Sequence, residues 1–142
     1  MFYASNFSIG VNIFFAVNKY LAEIMNSFEE YNVSISETHH TQKLDAPSGT
    51  AISLADILIK SLNKKHSWKL DKDVNASEIA IEAIREGDVK GIHEILYDSE
   101  IDTINLRHSA KTRKGFAQGA VLAAEFLKDK TGVYTMNDLL GL

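Results

Sequence analysis

The chain has 142 residues, 45% hydrophobic and 24% charged, with a formal net charge of -4, enough for one domain with its own core but too short for two domains of ordinary size. This balance excludes the basic footprint of a nucleic-acid binder, and the absence of cysteine excludes disulfides and thiolate metal sites and fits a reducing cytoplasm. The apolar run Ile9 to Ala16 is interrupted by Asn12 and followed by Asn18 and Lys19, so neither a membrane span nor a secretory signal is expected.

Apolar residues at Ile9, Ile13, Ala16, Tyr20, Ile24 and Phe28 recur at helical spacing and predict a long amphipathic helix over 8–28, capped by Asn6 or Ser8. Alternation from Tyr31 to His40 predicts a half-buried strand, with Tyr31, Val33 and Ile35 on one face and Asn32, Ser34, Ser36 and Thr38 on the other. After the only proline, Pro47, a second helix is predicted from Ala51 to about Leu62, turning Ile52, Ala55, Leu58, Ile59 and Leu62 inward. The polar, lysine-rich stretch Asn63 to Ser77, which contains Trp68, reads as a surface excursion. Three strands follow, Ile79 to Glu86, Gly91 to Asp98 and Asp102 to Ala110, separated by turn chemistry and expected to form a meander. A third helix, about Lys114 to Lys128, is expected to bury Phe116, Ala120, Ala123, Ala124 and Leu127, ending before Gly132. This order predicts an α+β fold: a four-stranded mixed sheet with helices on one face. The other face is expected to carry Ile95 and Tyr97 beside His93, and Thr103 and Asn105 beside Arg107, a mixture suited to a subunit interface as well as to solvent.

The stretch most informative about chemistry, Glu37 to Thr50, joins a strand end to a helix start. Unpaired N–H groups at a helix N-terminus attract anions, and glycine permits close approach, so Gly49 and Thr50 are candidates to hold a carboxylate or phosphate. The same run also reads as a plain cap by Ser48 or Thr50. His39 and His40 are neighbours on an extended strand and point to opposite faces, which disfavours joint chelation of one metal ion; two different hydrogen-bonding or catalytic roles fit better. Lys43 is either a solvated loop lysine or, beside two imidazoles and an anion site, a carboxylate ligand or proton donor. A histidine with an ordinary pKa near 6.5 would strengthen the site as it becomes charged. His93 reads as structural, and the cluster Arg107, His108, Lys111, Arg113 and Lys114 as a basic turn able to add positive potential. No Gly-x-Gly-x-x-Gly follows a strand and no Walker sequence occurs, so a complete nucleotide-binding unit is not expected within these residues.

The run His39-His40-Thr41-Gln42-Lys43-Leu44-Asp45-Ala46-Pro47-Ser48-Gly49-Thr50-Ala51 resembles the signature of dihydrodipicolinate reductases. The resemblance extends upstream through Ala4 to Asn12 and downstream through Arg85 to His93, then His108, Arg113, Phe116, Gly119 and Gly132-Val133-Tyr134, covering the C-terminal domain of that family. It implies an enzyme that uses NADH or NADPH to reduce a cyclic dicarboxylate, 4-hydroxy-tetrahydrodipicolinate, to tetrahydrodipicolinate in lysine and diaminopimelate biosynthesis. By motif position it implies His39 and Lys43 as catalytic residues, with His40, Gly49 and Thr50 binding substrate. Ala4, Ser5, Asn6 and Phe7 would then touch the dinucleotide near its nicotinamide end, and no metal is implied. Also implied are a cytoplasmic homotetramer built through the sheet, with no nucleic-acid or membrane partner, and an N-terminal Rossmann domain that these residues do not contain. Met1 precedes what reads as the middle of a fold, so the natural protein is expected to start upstream and the isolated domain to be inactive. Thr41 and Gln42 depart from the basic residues common in the family. The alternative is a non-catalytic anion-binding or oligomerisation module retaining the fold.

Overall fold

The computed structural model describes residues 1–142, and in it the alternating run after the first helix becomes β1 (Asn32–His39). Val33, Ile35, Glu37 and His39 are buried on one face, while Ser34, Ser36 and Thr38 lie on the other. β1 occupies the centre of a five-stranded mixed sheet with β2 (Ser67–Lys69), β3 (Glu78–Arg85), β4 (Ile92–Asp98) and β5 (Thr103–Ser109), in the order β2-β3-β1-β4-β5. β3 runs parallel to both β1 and β2, whereas β4 is antiparallel to both β1 and β5.

The α+β class and the single helix-covered face agree with the sequence reading, but the expected four strands are five. The extra one, β2, is a three-residue edge strand around Trp68 inside the stretch read as an excursion, and three residues are too few for alternation to register. Nor do the last three strands form a meander. β4 and β5 form a hairpin, while β1 inserts between β3 and β4. The chain crosses from β1 to β3 through α2 (Gly49–Ser61), and such a helical crossover returns the later strand parallel beside the earlier one.

α1 (Ile9–Met25) is capped by the Ser8 hydroxyl, which accepts from Val11 N–H, and buries Val11, Phe14, Asn18, Ala22 and Met25. The stripe expected to face inward points the other way: Ile13, Tyr20, Ile24 and Phe28 are exposed. Nearly the whole circumference of α1 is apolar, so periodicity admits two stripes. The chosen one puts Phe14 and Met25 in the core and lets the Asn18 amide donate to the Leu54 carbonyl of α2 at 3.2 Å. α2 begins at Gly49, earlier than expected, and buries Ala51, Leu54, Ala55 and Leu58. α3 (Lys114–Phe126) buries only Gly119 and Ala123; Phe116, Ala120 and Ala124 stay exposed and Leu127 is half-buried. α3 docks on backbone rather than on a side-chain layer, since a Cβ at Gly119 would fall 1.7 Å from the Phe7 carbonyl oxygen. A short α4 (Met136–Leu140), opened by a Thr135–Asp138 capping box, escaped the sequence reading because five residues show no period.

His93, Ile95 and Tyr97 also reverse expectation. They oppose Glu37, Ile35 and Val33 in antiparallel register and therefore share the core face, Ile95 being 0% and Tyr97 1% exposed. The open face is instead mainly polar: Ser34, Ser36, Asn105 and a Glu94–Arg107 pair at 3.1 Å, with Ala80 and Leu96 among them. No helix is long and apolar enough to cross a membrane.

Candidate functional site

The C-terminal end of β1, the N-terminus of α2, the β3–β4 turn and the start of α3 converge on two contiguous recesses. Asn6, His39, Thr50, Lys90 and Phe116 line both. His40, Lys43, Gly49 and Arg113 border one side, and His93, His108 and Lys111 the other. The turn reaches this place because Gly87 and Gly91 take positive φ, at +47° and +150°. A side chain at Gly91 would also crowd His39, whose Nε2 would be 3.3 Å from the added Cβ.

Every sequence-predicted catalytic and substrate residue reaches this recess: His39, His40, Lys43, Gly49 and Thr50 all line it. Of the segment Ala4 to Phe7, Ser5 and Asn6 line it and Ala4 does not. The Phe7 ring turns away and stacks on Phe2 at 5.9 Å. Asn6 ties the entry loop together: its Oδ1 accepts from Ser8 N–H at 2.8 Å, and its Nδ2 lies 3.5 Å from Thr50 Oγ1.

Ser48 caps α2, its hydroxyl accepting from Ala51 N–H at 3.2 Å. The cap and anion readings are therefore compatible, because Ser48 serves Ala51 while Gly49 and Thr50 remain on the recess wall. The Lys43 ammonium binds Asp45 at 2.9 Å, and this bond holds the Asp45 carboxyl below its ordinary range. Lys90 likewise pairs with exposed Asp88 at 2.8 Å. Arg113 Nη2 lies 3.1 Å from His40 Nε2; a guanidinium only donates, so Nε2 accepts and the His40 proton sits on Nδ1. Carboxylates near both lysines are exposed, so an incoming anion can exchange with them at low cost.

Beneath the recess lies a group the sequence reading left without a role. Glu37 is 0% exposed, and both its oxygens accept from Ser48 N–H at 3.1 Å. Oε1 also accepts from Arg85 Nη2 at 3.1 Å, while Oε2 stands 3.6 Å from His39 Nδ1 and 3.6 Å from His93 Nε2. Burial alone would raise the Glu37 pKa; interactions with His93, Ser48 and Arg85 outweigh it and bring the carboxyl down to about 2. Of these, the Ser48 amide and the Arg85 guanidinium make true hydrogen bonds, whereas His93 at 3.6 Å contributes as an oriented dipole. Burial pushes His39 down to about 4, against the opposing pull of Glu37, so His39 is neutral at pH 7 and does not charge near the ordinary histidine value. Glu37, His39 and His93 bring possible metal-ligand atoms within 4.8 Å of one another. The Glu37 oxygens are nevertheless committed to Ser48 and Arg85, and the Arg85 charge opposes a second cation there. Glu37 had a legible signal, its place on the Val33–Ile35 face of β1; Lys90 had none.

A cleft at a strand end and a helix N-terminus, crowded with histidine, lysine and arginine, offers N–H donors and positive charge of the kind that suits a small anion. The family model for dihydrodipicolinate reductase, C-terminus, matches residues 10–140, and the chain belongs to this family. It is 54% identical over 138 residues to the 4-hydroxy-tetrahydrodipicolinate reductase of Christiangramia forsetii, covering 97% of this chain and 57% of the relative. To the same-named protein of Methanosarcina acetivorans it is 41% identical over 140 residues, covering 96% of this chain and 52% of the relative. A solved dipicolinate-bound dihydrodipicolinate reductase from Paenisporosarcina sp. TG-14 superposes with a TM-score of 0.70 at 26% identity, over 94% of this chain and 52% of that one. The chain thus spans little more than half the length of the relatives it matches.

Proposed function

We propose that this domain binds the dicarboxylate substrate of a reductase that converts 4-hydroxy-tetrahydrodipicolinate to tetrahydrodipicolinate in lysine and diaminopimelate biosynthesis, with consumption of NADH or NADPH. The observation that carries this reading is the meeting of the α2 N-terminus at Gly49 and Thr50 with His39, His40, Lys43, Lys90 and Arg113 on one recess. A ring bearing two carboxylates needs orphan N–H donors for one and cations for the other. Gly49 N–H and Thr50 take the first carboxylate, and His40, Lys90 and Arg113 border the second. The reaction adds a hydride and a proton and releases one water. The nicotinamide cofactor, when bound, supplies the hydride. Ser5 and Asn6, the members of the Ala4–Phe7 segment that line the recess, would meet its nicotinamide end, and its main site would lie in the portion of the relatives' length this chain does not match.

Lys43 delivers the proton by giving up its hold on Asp45, and His39 Nε2, neutral at rest, receives or relays one. A dianion in the recess makes a proton on His39 more favourable than in the empty cleft. The assembly is a cytoplasmic homotetramer formed through the sheet's open, mainly polar face. Titration of the chain with pyridine-2,6-dicarboxylate, followed by amide NMR, tests the substrate reading. The Gly49 and Thr50 amides should move most, with millimolar, salt-sensitive affinity; shifts confined to other regions refute it.

A further inference from the structure

A charged side chain at full burial is costly unless it is paired and hydrogen-bonded. Glu37 is paired, yet it touches neither recess directly and takes no part in the proton transfer described above. What it touches is informative. Its oxygens hold the Ser48 amide, the residue immediately before Gly49 and Thr50, and one of them faces the ring of His39. His39 Nδ1 is buried and has no hydrogen-bond partner within 3.5 Å. At 3.6 Å from an anion, an N–H at Nδ1 is attracted and a lone pair there is repelled. The opposite ring nitrogen, Nε2, sits beside Gly91, on a ring that lines both recesses.

We propose that Glu37 is a positioning residue that keeps the His39 proton on Nδ1, so that Nε2 offers a lone pair to the recess, and that also fixes the first turn of α2 at the carboxylate site. One buried charge thereby sets both the proton-relay atom and the anion-binding amides. The inference rests on the substrate reading given above. The low basicity of His39 is consistent with a neutral ring whose tautomer matters. The charges that act on that ring come from Glu37, His93, Lys43 and Arg85, with Lys90 lining both recesses beside it, and Glu37 is the anion among them. Arg85 holds Oε1, the oxygen away from His39, and the Ser48 amide bridges both oxygens, which keeps the carboxylate from rotating and leaves Oε2 beside His39.

Long-range proton–nitrogen correlation spectra of the chain labelled with 15N-histidine report the His39 tautomer at pH 7. The wild type should show Nδ1–H in excess, on the order of tenfold. In Glu37→Gln the amide oxygen is claimed by Ser48 and Arg85, which turns the NH2 toward His39; Nδ1 must then accept, and the population should reverse to Nε2–H. Wild-type protein with its proton on Nε2 overturns the proposal without any variant, and so does a folded Glu37→Gln whose tautomer is unchanged. Titration of both proteins with pyridine-2,6-dicarboxylate separates the two levels. If the wild type ignores the dicarboxylate while the tautomer still reverses in the variant, the substrate reading falls and the hold of Glu37 on His39 is supported.

Discussion

Replacing Glu37 by glutamine should produce a stability difference that depends on pH in a defined window. The folded pKa of Glu37 is about 2, against an ordinary 4.5. A carboxyl with a depressed folded value stabilises the fold fully above its unfolded pKa and loses that contribution as pH falls through the folded one. The gap corresponds to about 3 kcal/mol in total, of which roughly 2 kcal/mol is already lost at pH 3. Glutamine keeps the shape and an acceptor for Ser48 and Arg85 but cannot titrate. Urea unfolding of both proteins from pH 7 to pH 2.5, with m-values checked for constancy, gives the difference directly. It should be flat above about pH 5 and shrink by roughly 2 kcal/mol by pH 3. A difference constant across the whole range would refute the claim that hydrogen bonds and charge hold Glu37 ionised in the core.

His39 should titrate with a midpoint near pH 4 in histidine ring NMR of the folded chain, because burial disfavours its cation; a midpoint near 6.5 would contradict that burial. The sign on stability follows, since the unfolded state binds more protons between about 6.5 and 4, so acidification across that window destabilises the fold. Gly119→Ala places a methyl against the Phe7 carbonyl, a backbone atom that cannot swing aside. It should cost at least about 1–3 kcal/mol in chemical denaturation, and a neutral effect would mean that α3 is free to shift. Ser48→Ala removes the α2 cap and should cost about 0.5–2 kcal/mol; it should also weaken pyridine-2,6-dicarboxylate binding in the NMR titration, and unchanged affinity would separate the cap from the anion site. In a complete enzyme containing this domain, Lys43→Ala should lower turnover on the order of a hundredfold while leaving dinucleotide affinity nearly intact; unchanged turnover would remove Lys43 from proton delivery.

Local chemistry alone determined much of this domain. Alternation placed β1, the Ser48-Gly49-Thr50 run placed the start of a helix within two residues, and the motif from His39 to Ala51 marked the cleft and the family. These features depend on neighbours in the chain, where period and capping act. Only the tertiary structure decided which stripe of α1 is buried, because an almost uniformly apolar helix has no preferred face until Asn18 finds Leu54 and Phe14 finds the sheet. The same holds for Ile95 and Tyr97, whose face was set by register against β1, and for β2, which is too short to announce itself. Lys90 came to the recess through the glycine-bounded β3–β4 turn, and Glu37, beside His39 on its own strand, gained His93, Arg85 and the Ser48 amide from three other segments. A buried charge is stable only where partners distant in sequence meet it, so its role is settled by packing and not by the strand that carries it.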